Sequence, residues 1–325
     1  MKKKIGIHWF RYDLRTVDNP SLNHLSKNYD NVLGVYIFDE VNSDPKLGSA
    51  SRVWLNYSLE YLKKQLNENL IILKGNPREC FDELIDFFDV QEISWNRCYE
   101  PWIIKRDKSL KIHLNKKIKV NSFNGSLLWE PWEILKNDGT PYKIFTPFYK
   151  KGCLLGPSPR VPKSEKINFY NHNFRVTNVS DLGLLENKQW ENKVLSQWKV
   201  GESSSIEIMK SFFQNGVQNY SEGRNFPNKK NVSRLSPHLH WGEISPNTVW
   251  YAVKDLKQIG TKHQQDTEIF LSEMGWREFS NYLLYFYPEL PKKNLQTKFD
   301  NFPWIDNSDY LSAWKTGQTG YPIVD

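Results

Sequence analysis

The apolar positions of this chain follow two rhythms. Up to Phe123, short strand-like runs at Lys4–Phe10, Val32–Phe38, Leu70–Lys74, Glu92–Asn96 and Ile118–Phe123 are separated by stretches of helical apolar spacing. Ser51–Asn67 places Leu55, Leu59, Leu62 and Leu66 on one face. Pro77–Phe88 has Asn76 as a cap, Pro77 at its first position, and Phe81, Leu84, Ile85 and Phe88 turned inward. Pro101–Asn115 is a third helical stretch. Strand and helix in alternation predict a doubly wound parallel sheet, an α/β fold. No GxGxxG follows the first strand, which excludes an ordinary NAD-type site there.

From about Gly125 to Trp190 the periodicity stops and prolines gather, at Pro131, Pro141, Pro147, Pro157, Pro159 and Pro162. This predicts a long connection laid over the surface, with Gly125–Trp132 and Tyr142–Phe148 apolar enough to be anchored. From Ser204 the helical rhythm returns. Its strongest expression is Glu268–Tyr287, with Leu271, Met274, Leu283 and Leu284 near the helical period, Asp266 and Thr267 placed to cap its start, and Pro288 ending it. A second stripe on the same helix runs through Phe270, Glu273, Arg277, Asn281 and Leu284, with Trp276 beside it. On a solvated face, Glu273 and Arg277 would be an ordinary i, i+4 pair worth roughly 0.2–0.5 kcal/mol. A helix this aromatic is expected to be buried, however, and buried charges need partners or a task. A tryptophan next to a carboxylate and a guanidinium can stack a flat ring and hydrogen-bond its edge.

Composition changes this picture only in part. A net charge of +7 over 325 residues fits an acidic partner such as nucleic acid, although a solvated lysine-rich surface gives the same charge. The 13 tryptophans suit a large core or sites that stack rings. Cys80, Cys98 and Cys153 lack metal-ligand spacing and point to a reduced interior. No apolar run has the length of a membrane span, and the MKKK start leads into a strand, so a cytoplasmic protein is expected. Val232-Ser233-Arg234-Leu235-Ser236-Pro237 sets hydroxyls and a cation ahead of a proline-started turn, which is phosphate chemistry, although Ser-Pro is also a plain helix start. His238-x-His240 lacks a third ligand at metal spacing and reads as packing. The run His8–Arg15 after the first strand could hold a ligand, and a structural ion-pair lock is the expectation.

Taken together, WFRYDLR with DNP, NRCYEPW, FNGSLLWEPWE, YKIFTPF, SRLSPHLHWGEISP, EMGWREF and WKTGQTGYPIVD, in this order, resemble the DNA photolyase and cryptochrome family, most closely the bacterial cyclobutane pyrimidine dimer photolyases. The resemblance implies an N-terminal α/β domain over 1–130, a connection over 131–200 and a helical FAD-binding domain over 201–325. It implies light-driven repair of pyrimidine dimers in damaged DNA by a monomer, the dimer being flipped out of the duplex. The other functions open to the family are a cryptochrome photoreceptor and a (6-4) photolyase; a basic nucleic-acid-binding protein without chemistry fits the charge alone. By resemblance, Tyr220, Val232, Ser233, Arg234, Leu235, Ser236, Phe270 and Arg277 belong to the flavin site, Val232 standing where relatives often have Thr and Phe270 where some have Trp. Glu273 and Trp276 are the implied catalytic pair at the dimer, Arg224, Arg277 and Ser280 join them at DNA, and Trp304 is the outer tryptophan of flavin photoreduction. An antenna chromophore, of folate type or another, is implied without an identity, since Ile103 occupies a position where folate binders can carry Glu. Relatives continue past the position of Asp325 through further flavin-pocket helices. The expectation is therefore a fragment that binds FAD poorly by itself.

Overall fold

The computed structural model describes residues 4–39, 46–186, 188–258 and 264–325. Five parallel strands, β1 (Ile5–Phe10), β2 (Asn31–Phe38), β3 (Leu70–Lys74), β4 (Val90–Asn96) and β5 (Lys119–Phe123), form one sheet in the order β3-β2-β1-β4-β5. Crossovers run through α1 (Pro20–Asn28), α2 (Ser49–Gln65), α3 (Pro77–Phe87) and α4 (Pro101–Leu114). The strand order reverses between β1 and β4, and in such sheets ligands gather outside the carboxyl ends of the strands at that reversal. The period-2 pattern divides the strand residues cleanly between two cores. Ile5, Ile7, Trp9, Leu33, Val35 and Ile37 face one side, and Phe10, Val32, Tyr36 and Phe38 the other.

The elements expected from periodicity are present, with ends moved by a residue or two except at the start of the long helix, which lies four residues earlier, at Gln264. The helix that periodicity missed is α1, whose PSLNHLSKN holds only Leu22 and Leu25 as apolar anchors. Its start is fixed chemically instead, by Pro20 at the first position and by Asn19, whose side chain accepts from the Leu22 N–H.

The proline-rich connection is irregular yet tied down. Leu128, Trp129 and Phe148 enter the helical core, Phe174 joins one face of the sheet, and Val179, Leu182 and Leu184 join the other. The Trp129 indole N–H donates to the Pro157 carbonyl at 2.7 Å. A short α5 (Phe145–Pro147) runs into a wide turn at Phe148–Cys153. Regular helices resume earlier than expected, with α6 (Gln189–Gln197) and α7 (Glu202–Ser211), followed by α8 (Tyr220–Gly223), α9 (Ser236–Trp241), α10 (Pro246–Gln258) and α11 (Gln264–Phe286). Met1–Phe286 forms one compact unit; Tyr287–Asp325, with α12 (Ser308–Thr316) capped by Asn307, forms a second.

The expected capping of α11 is corrected here. The helix starts at Gln264, so Asp266 and Thr267 lie inside its first turn. The buried Asp266 carboxylate accepts from the N–H of Asn219 at 2.9 Å and of Ser221 at 2.8 Å, and so caps α8. Asp266→Ala should therefore cost about 1–3 kcal/mol, because two backbone donors lose their acceptor. Urea unfolding measures this, and a cost no larger than that of an exposed substitution would show the cap to be dispensable.

The His8–Arg15 run is a lock. Arg11 pairs with Asp107, and the buried Asp13 carboxylate accepts from the Arg11 and Asn96 N–H groups, each at 2.6 Å. Burial pushes the Asp13 carboxyl up, but its bond to His8, the Arg11 N–H and the Arg15 charge prevail and hold it at about 2. Arg15 is fully buried and donates to the carbonyls of Asp18 at 2.9 Å, Gly242 at 2.9 Å and Gly125 at 2.7 Å. One guanidinium thus fastens the end of β1 to the start of the connection and to the end of α9. At that joint Gly242 has φ +66°, and a Cβ there would lie 2.1 Å from the Tyr12 carbonyl oxygen.

Candidate functional site

A cavity of about 420 Å³ opens where α11, the turn into α9 and the carboxyl ends of β1 and β4 meet. From α11 it receives Phe270, Glu273, Met274, Arg277 and Asn281. All but Met274 belong to the stripe expected from sequence; Leu284, its last member, is half-buried elsewhere. Ser233, Ser236, Leu239 and His240 face them from the α9 turn, and Tyr220 from α8. Tyr12 follows β1, and Cys98, Tyr99 and Glu100 follow β4, which is where the reversal of strand order places a ligand site.

Glu273 and Arg277 do not pair with each other. Glu273 pairs with Arg224, whose guanidinium also lies 5.6 Å from the Tyr220 ring centroid and is raised further above its ordinary value by the Glu273 carboxylate. Arg277 donates to Glu278 at 2.9 Å. Glu100 faces the cavity with its carboxyl pushed up by burial, against the pull of nearby backbone N–H groups and of Arg11 and Arg277. Phe270 is buried, edge-on to Tyr220 at 5.5 Å and tilted against Phe212 at 5.1 Å, so the rings form a firm floor.

Other expected residues lie elsewhere. Val232 is exposed, and Leu235 is buried in the helical core. The Arg234 guanidinium stacks on Trp198 at 3.9 Å and donates to the Gln197 carbonyl, so the structure does not bring it to the cavity. Ser280 is exposed and donates to the Trp276 carbonyl at 3.0 Å. Trp276 is 46 % exposed and lies outside the cavity wall. One face of its indole is covered by Phe145, at 3.7 Å between centroids and 12° between planes. Phe145 in turn stacks on Tyr149, which packs so closely on α11 that a Cβ at Gly275 would lie 2.5 Å from its ring. Trp304 is exposed in the second unit. His238 is fully buried against Glu243, and no cluster of metal-ligating side chains occurs among the described residues.

A second cavity, of about 480 Å³, lies outside the ends of β1 and β2. There the Trp9 ring carries two guanidiniums, Arg11 at 4.8 Å and Arg106 at 4.7 Å from its centroid. Tyr12, Cys98, Glu100 and His240 line both cavities. Burial pushes the Cys98 thiol up to about 12, so it remains protonated. Sequence reasoning gave Tyr12 and Glu100 no site role and read His240 as packing; His238 is packed, but His240 is exposed and lines both cavities. The available signal was position, since Tyr12 and Glu100 follow β1 and β4.

The hydroxyls of Ser233 and Ser236, the Arg277 guanidinium, the rings of Tyr220 and Phe270 and the carboxyls of Glu273 and Glu100 surround one cavity, a set suited to a phosphate-bearing ligand with a flat, polar-edged ring, and the residues present fit FAD in that respect. The fold and site together define a nucleotide-cofactor protein with an α/β domain joined to helices. A sequence profile of DNA photolyase matches residues 6–164, and one of the FAD binding domain of DNA photolyase matches residues 270–325. The chain is 36% identical over 98% of its length to a deoxyribodipyrimidine photo-lyase of Agrobacterium fabrum, and it spans 67% of that protein. It is 31% identical to cryptochrome-2 of Arabidopsis thaliana over its whole length, spanning 56% of that protein. The crystal structure of a bacterial class III photolyase from Agrobacterium tumefaciens matches all of this chain with a TM-score of 0.92 at 36% identity, the chain covering 68% of it. An archaeal photolyase from Sulfolobus tokodaii, solved with two FAD molecules, matches 98% of this chain with a TM-score of 0.79 at 25% identity, 68% of that structure being covered. The chain belongs to the DNA photolyase and cryptochrome family.

Proposed function

We propose that this protein repairs cyclobutane pyrimidine dimers in DNA with blue light, as a cytoplasmic monomer, using FAD held in the first cavity. The observation that carries this reading is the α11 stripe of Phe270, Glu273, Arg277 and Asn281 facing Ser233 and Ser236, in a chain whose relatives include several photo-lyases. Bound in its reduced form, FAD supplies the light absorption and the electron for ring splitting. Ser233, Ser236 and Arg277 hold phosphate and ring edge, and Tyr220 and Phe270 support the ligand from beneath. Glu273, steadied by Arg224, hydrogen-bonds the polar edge of the dimer, a bond that strengthens as negative charge develops there. Trp276 stacks the flipped lesion on the face that Phe145 leaves open. Arg224 and Ser280 meet the DNA strand, and Trp304 would be the outer tryptophan of flavin photoreduction. Glu273 and Trp276 together favour repair over cryptochrome-type sensing, because a receptor has no use for a dimer-stacking ring and a dimer-holding carboxyl. No helix among the described residues is long and apolar enough to cross a membrane.

For the second cavity we propose a second chromophore. Two guanidiniums over Trp9, paired with Asp107 and Asp39, make a ring-lined wall with polar edges, and the Sulfolobus tokodaii photolyase holds a second FAD.

The test is dimer loss per absorbed photon on a dimer-containing oligonucleotide, with the whole protein loaded with reduced FAD. Glu273→Ala should lower the yield more than Glu273→Gln, which keeps a hydrogen-bonding edge. Trp276→Ala should weaken oligonucleotide binding by about 1–3 kcal/mol, the usual worth of a base–aromatic stack. Intact dimers after illumination of flavin-loaded protein would favour the photoreceptor reading, and an unchanged yield in Glu273→Ala would remove that residue from the chemistry.

A further inference from the structure

Glu278 is the one acidic residue of EMGWREF to which the repair reading gives no task. It is 2 % exposed and lines neither of the two cavities. Its carboxyl accepts from the N–H of Leu128 at 2.8 Å and, at the limit, of Trp129 at 3.5 Å. The other oxygen accepts from Arg277 Nη1 at 2.9 Å. Arg277 has its remaining nitrogens free to face the cavity wall that it helps to form. A long, flexible side chain loses much rotamer freedom when its head is fixed, and a fork held at one prong presents the other in a set direction.

We propose that Glu278 is a positioning residue for the cavity: it fixes the Arg277 guanidinium against the wall and links that position to the Leu128–Trp129 segment of the connection. The connection and the ligand site then share one buried carboxyl. Burial pushes this carboxyl up to about 7 even against the pull of Arg277 and the two backbone donors, so its contacts with Arg277 and with the connection are what the fold supplies to hold its charge near neutral pH. Replacing it by a hydrophobic residue would break the anchor and the fork at once, so the informative change is Glu278→Gln. The amide oxygen still accepts from Leu128, while its NH₂ cannot accept from Arg277. This inference rests on the reading of the first cavity as the FAD and lesion site.

The experiment compares wild type, Glu278→Gln, Arg277→Ala and the double variant in the whole protein. Affinities for FAD and for a dimer-containing oligonucleotide are measured, and arginine side-chain ¹⁵N NMR is recorded in parallel, with the Arg277 signal assigned by its loss in Arg277→Ala. Glu278→Gln is expected to abolish the slowly exchanging Arg277 guanidinium signal while the Leu128 amide stays protected. It should lower the affinity for at least one probe about tenfold, and it should add nothing once Arg277 is alanine. A guanidinium signal unchanged in Glu278→Gln overturns the proposal, as does a Glu278→Gln loss of affinity that persists undiminished in the Arg277→Ala background. If Arg277→Ala leaves both probes bound as in wild type, the positioning role falls together with the reading of the cavity. That case is recognised by a guanidinium signal that still responds to Glu278→Gln.

Discussion

Gly242→Ala is expected to cost about 3–5 kcal/mol, more than any exposed substitution in this chain. Two terms add. An L-residue at φ +66° pays about 1–2 kcal/mol for the left-handed conformation. The added methyl also meets backbone on the neighbouring segment, the Tyr12 oxygen at 2.1 Å and the Asp13 Cα at 2.6 Å, and no rotamer change relieves a backbone contact. The segment it displaces is held by the Leu14 N–H to the Trp241 carbonyl and by Arg15 to the Gly242 carbonyl, so strain at one point loosens the whole joint. Gly183 provides the control: its φ of +67° is the same, and nothing lies within 4 Å of its Cβ position. Gly183→Ala should therefore show the conformational term alone. Urea unfolding of the two variants separates the terms, and equal costs would show that the close approach at Tyr12 contributes nothing.

Glu278 should make stability depend on pH near neutrality. Its folded-state carboxyl, at about 7, lies above the ordinary 4.5, so between these values the folded protein keeps a proton that the unfolded chain has released. Stability from this group is therefore full below about pH 4.5 and declines as pH rises towards 7. The gap corresponds to about 3 kcal/mol. Glu278→Gln removes the titration, so wild type should lose stability relative to the variant across that window and stay parallel to it outside. A difference that stays flat from pH 4 to 8 would mean that the fold does not raise this carboxyl.

The sheet was legible because buried parallel strands leave continuous apolar runs and their crossover helices leave amphipathic ones. It failed at α1, where a helix rests on two leucines and its start is set by Asn19 and Pro20. In the site, the stripe from Phe270 to Asn281 could be read from spacing, since four of its members share the cavity wall. The partners of those charges could not. Arg224 is 49 positions from Glu273 along the chain (273 − 224), and only the folding of α8 against α11 makes them a pair. The opposite error arose within SRLSP, where adjacent residues were grouped by their chemistry. Ser233 and Ser236 reach the cavity, while the left-handed backbone at Arg234, φ +55°, turns its side chain to Trp198.

Four side chains, Tyr12, Cys98, Glu100 and His240, line both cavities. A side chain that borders both cavities presents a different surface to one if an occupant of the other moves it. An occupant of one cavity that moved those side chains would change the affinity of the other, and by thermodynamic reciprocity the second occupant would act back on the first by the same factor. Under such coupling, a dissociation constant for either chamber would have meaning only when the state of its neighbour is given.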